Sequence, residues 1–397
     1  MPRRSRPPLP PGFGALWTTV AVDLVGFGIV LPILPLYARR YGATSLESTL
    51  LVAAFSAASF VFSPLWGRVS DRVGRKPVLI VSLVGTAVGS LVTGLAGGLA
   101  LLFIGRLLDG ISGSSVSVAQ AAATDLAAPA ERPRLFGLLG AAFGIGFVAG
   151  PAIGAIGAAI DPRLPFLIAA GIAGVNALAA LRRLPSTPAR AGREKGAVRT
   201  GVRSALRHAE VARLLGVVFL AMVAFSGFEA TFALFGRHHL GFTLGLSAAV
   251  FAAIGAAIVI VQGGLVHPVV ARLGEATTFR AGLAFNAVGL FLLVPARGWG
   301  EAAPALLALT LGQGLAQPTM SSTLAGRADP ERRGEVLGFA QSASGLGRVV
   351  GPIVGGALLG AGASGLAYAV GGVLTVGALG LVGLAQRPVE PRVARPF

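Results

Sequence analysis

Five ionisable side chains stand where the surrounding sequence offers them little water: Asp23, Arg106, Asp109, Glu229 and Arg348 each lie within a long apolar run. A carboxylate in such a place must pair, face a wet cavity or bind a proton. An acid that can take up and release a proton there can serve proton transfer between two aqueous phases. Arg106 and Asp109 are three residues apart and share a helical face. An ion pair between them would couple protonation of Asp109 to the position of Arg106. Glu229 could carry a proton or oppose a cationic compound, and Arg348 could neutralise a carboxylate or draw in an anion. Phe27, Phe228 and Phe232 sit beside the acids and could line an apolar cavity, and Gln313 and Gln317, four apart, could contact a small molecule.

Other chemistries find little support. The chain has no cysteine, so it offers no disulfide, thiolate metal site or thiol nucleophile. Its four histidines show no metal-ligand spacing, and His238-His239 reads as a solvated loop pair. No nucleophile–base set stands out, so an enzyme is not expected. No Gly-x-x-x-x-Gly-Lys-[Ser/Thr] occurs, which argues against direct use of ATP, and no cofactor or metal is expected.

The elements that carry these residues are apolar runs of about 20 residues, the length that crosses a bilayer. The 397 residues are 54% hydrophobic and only 12% charged, too little charge to cover a soluble surface. The 58 glycines would weaken soluble helices but let membrane helices approach closely. The pattern predicts twelve spans, near 15–37, 47–66, 77–95, 99–124, 135–158, 164–182, 214–235, 246–267, 279–296, 303–325, 335–360 and 364–386. Residues 1–14 form a Pro/Arg arm expected to be disordered. The first run is a retained helix and not a cleaved signal, because it holds Asp23, Pro32 and Pro35 and lacks a small-residue cleavage site.

Twelve spans put both termini on one side. The formal net charge is +17, and its distribution fits topology better than nucleic-acid binding. Of the 33 Lys+Arg, only Arg39, Arg40, Arg163, Arg237 and Arg297 fall on the opposite side, and Arg106 and Arg348 lie inside spans. The positive-inside rule therefore predicts cytoplasmic termini in an inner (plasma) membrane, with the basic loops against anionic lipid.

The polar stretch 184–212 separates a six-span half, 15–183, from a second, 213–386, with a cytoplasmic tail at 387–397. The halves are related. Residues 137–154 and 338–355 both read Gly-x-x-x-x-Ala-x-Gly-x-Gly-x-Val-x-Gly-Pro-x-x-Gly. Two parallel six-helix halves related about the membrane normal form a transporter architecture, with the substrate path between them.

Four motifs carry a family resemblance. Gly67-Arg68-Val69-Ser70-Asp71-Arg72-Val73-Gly74-Arg75-Lys76 lies between spans two and three. Gly146-x-x-x-Gly150-Pro151-x-x-Gly154 lies in span five and Gly347-x-x-x-Gly351-Pro352-x-x-Gly355 in span eleven. Arg106-x-x-Asp109-Gly110-x-x-Gly113 lies in span four, and Asp23 through Pro35 in span one. Together they resemble the major facilitator superfamily, and within it the twelve-helix drug:proton antiporters that include tetracycline exporters.

The resemblance implies an all-α membrane protein that exports small amphiphilic or lipophilic compounds against protons by alternating access, working as a monomer. Asp23, Arg106, Asp109 and Glu229 would couple protons, and Phe27, Phe228, Phe232, Gln313, Gln317 and Arg348 would meet the substrate. In the family, the aspartate matched by Asp71 caps the cytoplasmic start of helix eleven, and the arginine matched by Arg75 pairs with an acid at the end of helix four, here Asp125. Gly67, Arg72, Gly74 and Lys76 complete that gate. Two departures stand out. Ala155 replaces the last glycine of the family's span-five pattern, and the second-half turn Val270-Ala271-Arg272-Leu273-Gly274 lacks the aspartate. A proton-coupled carrier of a defined metabolite, such as a sugar or an organic anion, is the alternative.

Overall fold

A computed structural model describes residues 9–126, 131–185, 209–327, 333–362 and 364–385. The chain folds as helices: α1 (Phe13–Val30), α2 (Leu34–Arg39), α3 (Ser45–Val73), α4 (Arg75–Gly94), α5 (Leu99–Ser112), α6 (Ser115–Leu126), α7 (Arg132–Ile160), α8 (Leu164–Arg183), α9 (Ala209–His239), α10 (Leu244–Ile260), α11 (Val266–Leu273), α12 (Glu275–Leu293), α13 (Trp299–Arg327), α14 (Arg333–Gly360) and α15 (Ser364–Ala385). A π-helical turn, Val261–Leu265, joins α10 to α11. Three of the expected spans are thus composite: α1–α2, α5–α6 and α10–α11. Among the described residues, eleven helical units are long and apolar enough to cross a bilayer. The twelfth, α13, is diluted by Pro304, Gln313, Gln317 and Pro318. Ile160, Ile260, Ile156 and Val175 are among the aliphatic side chains turned outward, which suits hydrocarbon as solvent.

The helix ends correct several sequence boundaries. The first helix starts at Phe13, and the stretch 67–76 is helical on both sides of Gly74 alone. Gly74 has φ 95°, a conformation that favours glycine, and Gly274 at the matching second-half position has φ 77°. His238 and His239 close the last turn of α9 rather than a loop, with His239 against Phe235. Most of the arm, the linker (186–208) and the tail (386–397) lie outside the described residues.

Close crossings bind each half. A methyl at Gly150 would sit 2.7 Å from the backbone of Gly28, and one at Gly146 2.7 Å from that of Leu24, so α7 lies directly on α1. A methyl at Gly351 would sit 2.8 Å from the backbone nitrogen of Gly227, and one at Gly355 3.2 Å from its carbonyl, repeating the arrangement between α14 and α9. Pro151 and Pro352 stay inside their helices.

The halves meet along two further pairs, α3 with α14 and α7 with α10. Call the face bearing both chain ends proximal and the other distal. The cross-half contacts run from the distal face to mid-helix: Thr49 against Gly356, Phe60 against Gly345, Phe147 against Gly255 and Val259 against Gly144. Ser247 donates to the Pro32 carbonyl at 3.0 Å on the distal side. Toward the proximal face Leu65, Val69 and Val73 of α3 are exposed, and α11 buries no residue. Among the described residues, the bundle is closed distally and open proximally.

Candidate functional site

Two helix breaks shape the first half. Pro32 and Pro35 remove backbone donors, and the helix stops at Val30 and restarts at Leu34. A second break falls at Gly113-Ser114. Its loosened carbonyls are taken up by neighbouring helices, as hydrocarbon requires. Trp66 donates to Ile111 at 2.6 Å, Ser82 to Ser112 at 2.5 Å and Ser59 to Gly113 at 2.9 Å. The break presents the N-terminal end of α6, where a partial positive charge gathers. Ser115, the first residue of α6, donates to Asp23 Oδ2 at 2.5 Å, while Asp23 Oδ1 is buried and lacks a partner. Asp23 is therefore fixed between α1 and the start of a half-helix.

One turn before this break, Arg106 Nη2 stands 2.8 Å from Asp109 Oδ2, and both side chains are almost fully buried. The guanidinium lies 5.8 Å from the Phe55 ring centre. Phe55 packs on Phe27, and Phe27 on Phe147, so an aromatic cluster from α1, α3 and α7 roofs the charged group. Burying a charged pair this deeply costs several kcal/mol per ion unless the remaining bonds are made, and Arg106 Nε is buried with no hydrogen-bond partner.

In the second half Glu229 on α9 and Arg348 on α14 face each other at 3.8 Å, with Glu229 buried and the Arg348 side chain 32% exposed. Phe232 borders no open space here, whereas Phe228 also lines a cleft. Both are buried in a distal aromatic core with Phe235, Phe242, Phe251 and Tyr368, because α9 turns that face into its own half. Gln313 and Gln317 border that cleft, of about 580 Å³ counting its mouth, between α9, α12, α13 and α15. Gln317 also meets Gln262, from the π turn, at 3.4 Å.

At the proximal face Arg75 is buried. It holds Asp71 at 2.7 Å and Asp125 at 3.0 Å, and donates to Ser70 Oγ at 2.6 Å. The structure thus brings Arg75 and Asp125 together as the resemblance implied. Asp71 bonds Arg75 and is half exposed. The residues just before α14, which it would cap, lie outside the described residues.

Sequence reasoning missed Ser115, Phe55, Phe147 and the cleft. The run Gly113-Ser114-Ser115 was the available signal for a break within an apolar span.

The sequence profile of the Major Facilitator Superfamily matches residues 16–328 and again 268–397. The chain is 32% identical over 370 residues to the class C tetracycline resistance protein of Escherichia coli, covering 90% of this chain and 92% of that protein. It is 27% identical over 353 residues to multidrug resistance protein 2 of Bacillus subtilis (strain 168), covering 87% and 88%. Among solved structures, the human organic anion transporter MFSD10 (TETRAN) superposes with a TM-score of 0.72 at 24% identity, over 94% of this chain and 100% of that one.

Proposed function

This chain belongs to the Major Facilitator Superfamily and is a proton-coupled drug exporter of it, and from that premise we propose that Asp23 is its central proton carrier and tetracycline-like compounds its substrates. The observation that carries the proposal is the setting of Asp23. One carboxylate oxygen is held by Ser115 at the start of α6, and the other is buried with no partner. A group so placed is stable with a proton or with a cationic partner, and costly with neither. Substrate and proton then compete for one charge, which is sufficient for exchange.

The proximal face is the cytoplasmic one, by its excess of Lys and Arg, and the described arrangement is the one that loads substrate from inside. Arg106 and Asp109 form a relay that adjusts when Asp23 changes charge, and Glu229 with Arg348 forms a second ionisable pair beside the substrate path. Proton entry gains about 2.3 kcal/mol per elementary charge per 100 mV of membrane potential. Arg75 gathers Asp71 and Asp125 into a gate that closes against α14 when the exporter faces outward. The protein acts as a monomer in an inner membrane, its basic loops on anionic lipid. The names of the relatives favour drugs over a sugar or other metabolite.

The test uses everted membrane vesicles acidified inside by respiration. Adding tetracycline to vesicles bearing the intact chain should release protons in step with drug uptake. Asp23→Asn should bind tetracycline and release none. Unchanged proton release by Asp23→Asn would remove this residue from the mechanism.

A further inference from the structure

The cleft in the second half has a composition that the proton machinery does not use. Its floor is apolar and buried: Phe279, Leu283, Leu290 and Leu309. Its mouth carries Met222 and Phe225 from α9 and Met320 from α13, all half-buried. Two of the chain's three methionines are therefore at one cavity, where flexible, polarisable side chains can fit rings of differing shape. No charged residue lines it.

Two carboxamides face this space unpartnered. Asn286 on α12 is pressed against α13, where a methyl at Gly312 would sit 2.6 Å from Asn286 Oδ1. That oxygen is buried without a hydrogen bond. Gln313 follows Gly312 on α13 and lines the same cleft. Buried polar groups are normally paired, and each carboxamide has both donor and acceptor capacity. The mouth opens beside α14, where a methyl at Gly347 would touch the Met222 side chain, and beside Gln262 of the π turn. Both neighbouring helices face the other half, so the cleft opens toward the path between halves.

We propose that this cleft seats the ring system of the exported compound, with Asn286 and Gln313 reading an uncharged edge that carries adjacent hydrogen-bond acceptor and donor groups. The proposal deepens the export reading and rests on it. Discrimination among compounds resides in the second half, while charge is handled at Asp23 in the first. A compound with a flat apolar body and a carbonyl–hydroxyl or amide edge fits; a compact polyol or a small dianion does not.

The absence of cysteine makes the test direct, because each introduced thiol reports one position. Full-length Ala221→Cys and Ala316→Cys, both at the cleft, are labelled with N-ethylmaleimide in everted vesicles, with Arg272→Cys on the exposed proximal end as control. The probes are tetracycline and the uncharged aromatic N-phenylnaphthylamine. Expected is at least about five-fold slower labelling at both cleft positions with one probe or both, and no change at Arg272→Cys. Adding Asn286→Leu, or Gln313→Leu in the Ala221→Cys background, should raise the half-protecting concentration about ten-fold, the equivalent of one lost hydrogen bond. Unchanged labelling at the cleft with both probes, or equal slowing at the control, overturns the proposal. Proton release by the intact chain is scored separately. If it fails while protection holds, the antiport reading falls and the cleft stands; if it holds while protection fails, the cleft falls alone.

Discussion

The two halves share one scaffold and spend it differently. In both, a glycine ladder seats the fifth helix of the half on its first, α7 on α1 and α14 on α9. In the first half the space between first and fourth helices is filled by Leu16, Val20, Leu83, Val118 and Ala119, and the fourth is broken so that Ser115 can reach Asp23. In the second half the fourth helix, α13, runs unbroken, and the corresponding space remains a cleft lined by carboxamides and methionines. The lesson is that duplication supplied the packing, while helix continuity decides whether the space is filled around a buried charge or left as a cleft.

The comparison can be broken most sharply at Asp23. Asp23→Asn should reduce pH-driven tetracycline export about 100-fold, the scale set by losing a positioned proton-transfer group, whereas Glu229→Gln should leave more than a tenth of it. Equal losses in vesicle assays would mean that both halves handle protons alike.

The ion pairs come next. Arg106→Gln leaves Asp109 buried and unpaired and should cost about 3–5 kcal/mol of stability. Arg348→Gln, at a looser and partly exposed pair, should cost about 1 kcal/mol or less. Thermal unfolding of the purified variants measures both, and similar midpoints would erase the contrast.

Ser115→Ala removes a hydrogen bond to a carboxylate, worth about 1.5–3 kcal/mol. Proton exchange should fall roughly ten-fold or more with the protein still inserted and folded. A full rate would show that Asp23 does not need the helix break.

The smallest expected difference is between Gly150→Ala and Gly351→Ala. Both force a methyl onto a facing backbone, and each should destabilise by about 1–3 kcal/mol. Here the halves should agree, and a midpoint lowered in only one would show that the shared scaffold has diverged.

How much of this was legible depended on the range of the interaction. Asp23, Arg106 and Asp109 stood out because a charge within an apolar run is costly wherever the chain goes. The Arg106–Asp109 pair followed from three-residue spacing alone. Arg75 with Asp125 could be placed through the resemblance, since the two are fifty residues apart. Glu229 and Arg348 sit on different helices, and no local pattern could measure their 3.8 Å. Phe232 misled for the same reason: being near an acid in sequence does not decide which face of α9 a ring occupies, and the packed helix turned it into the core. The break at Gly113-Ser114 was read through because apolar length dominated the signal. The cleft is a property of four helices together, and only Phe228, Gln313 and Gln317 hinted at it.

The short segment α2 has a dynamic consequence. It is uncoupled from α1 by the gap at Pro32, yet Leu36 is embedded in the aromatic core of the opposite half, and Ser247 ties that half to the Pro32 carbonyl. Parting the distal face therefore means wetting Leu36, at about 2 kcal/mol for a side chain of its size, and breaking one tie. The gap lets α2 lag behind its own half like a hinged flap. Any opening of the distal face must therefore let water into a dry aromatic seam around Leu36.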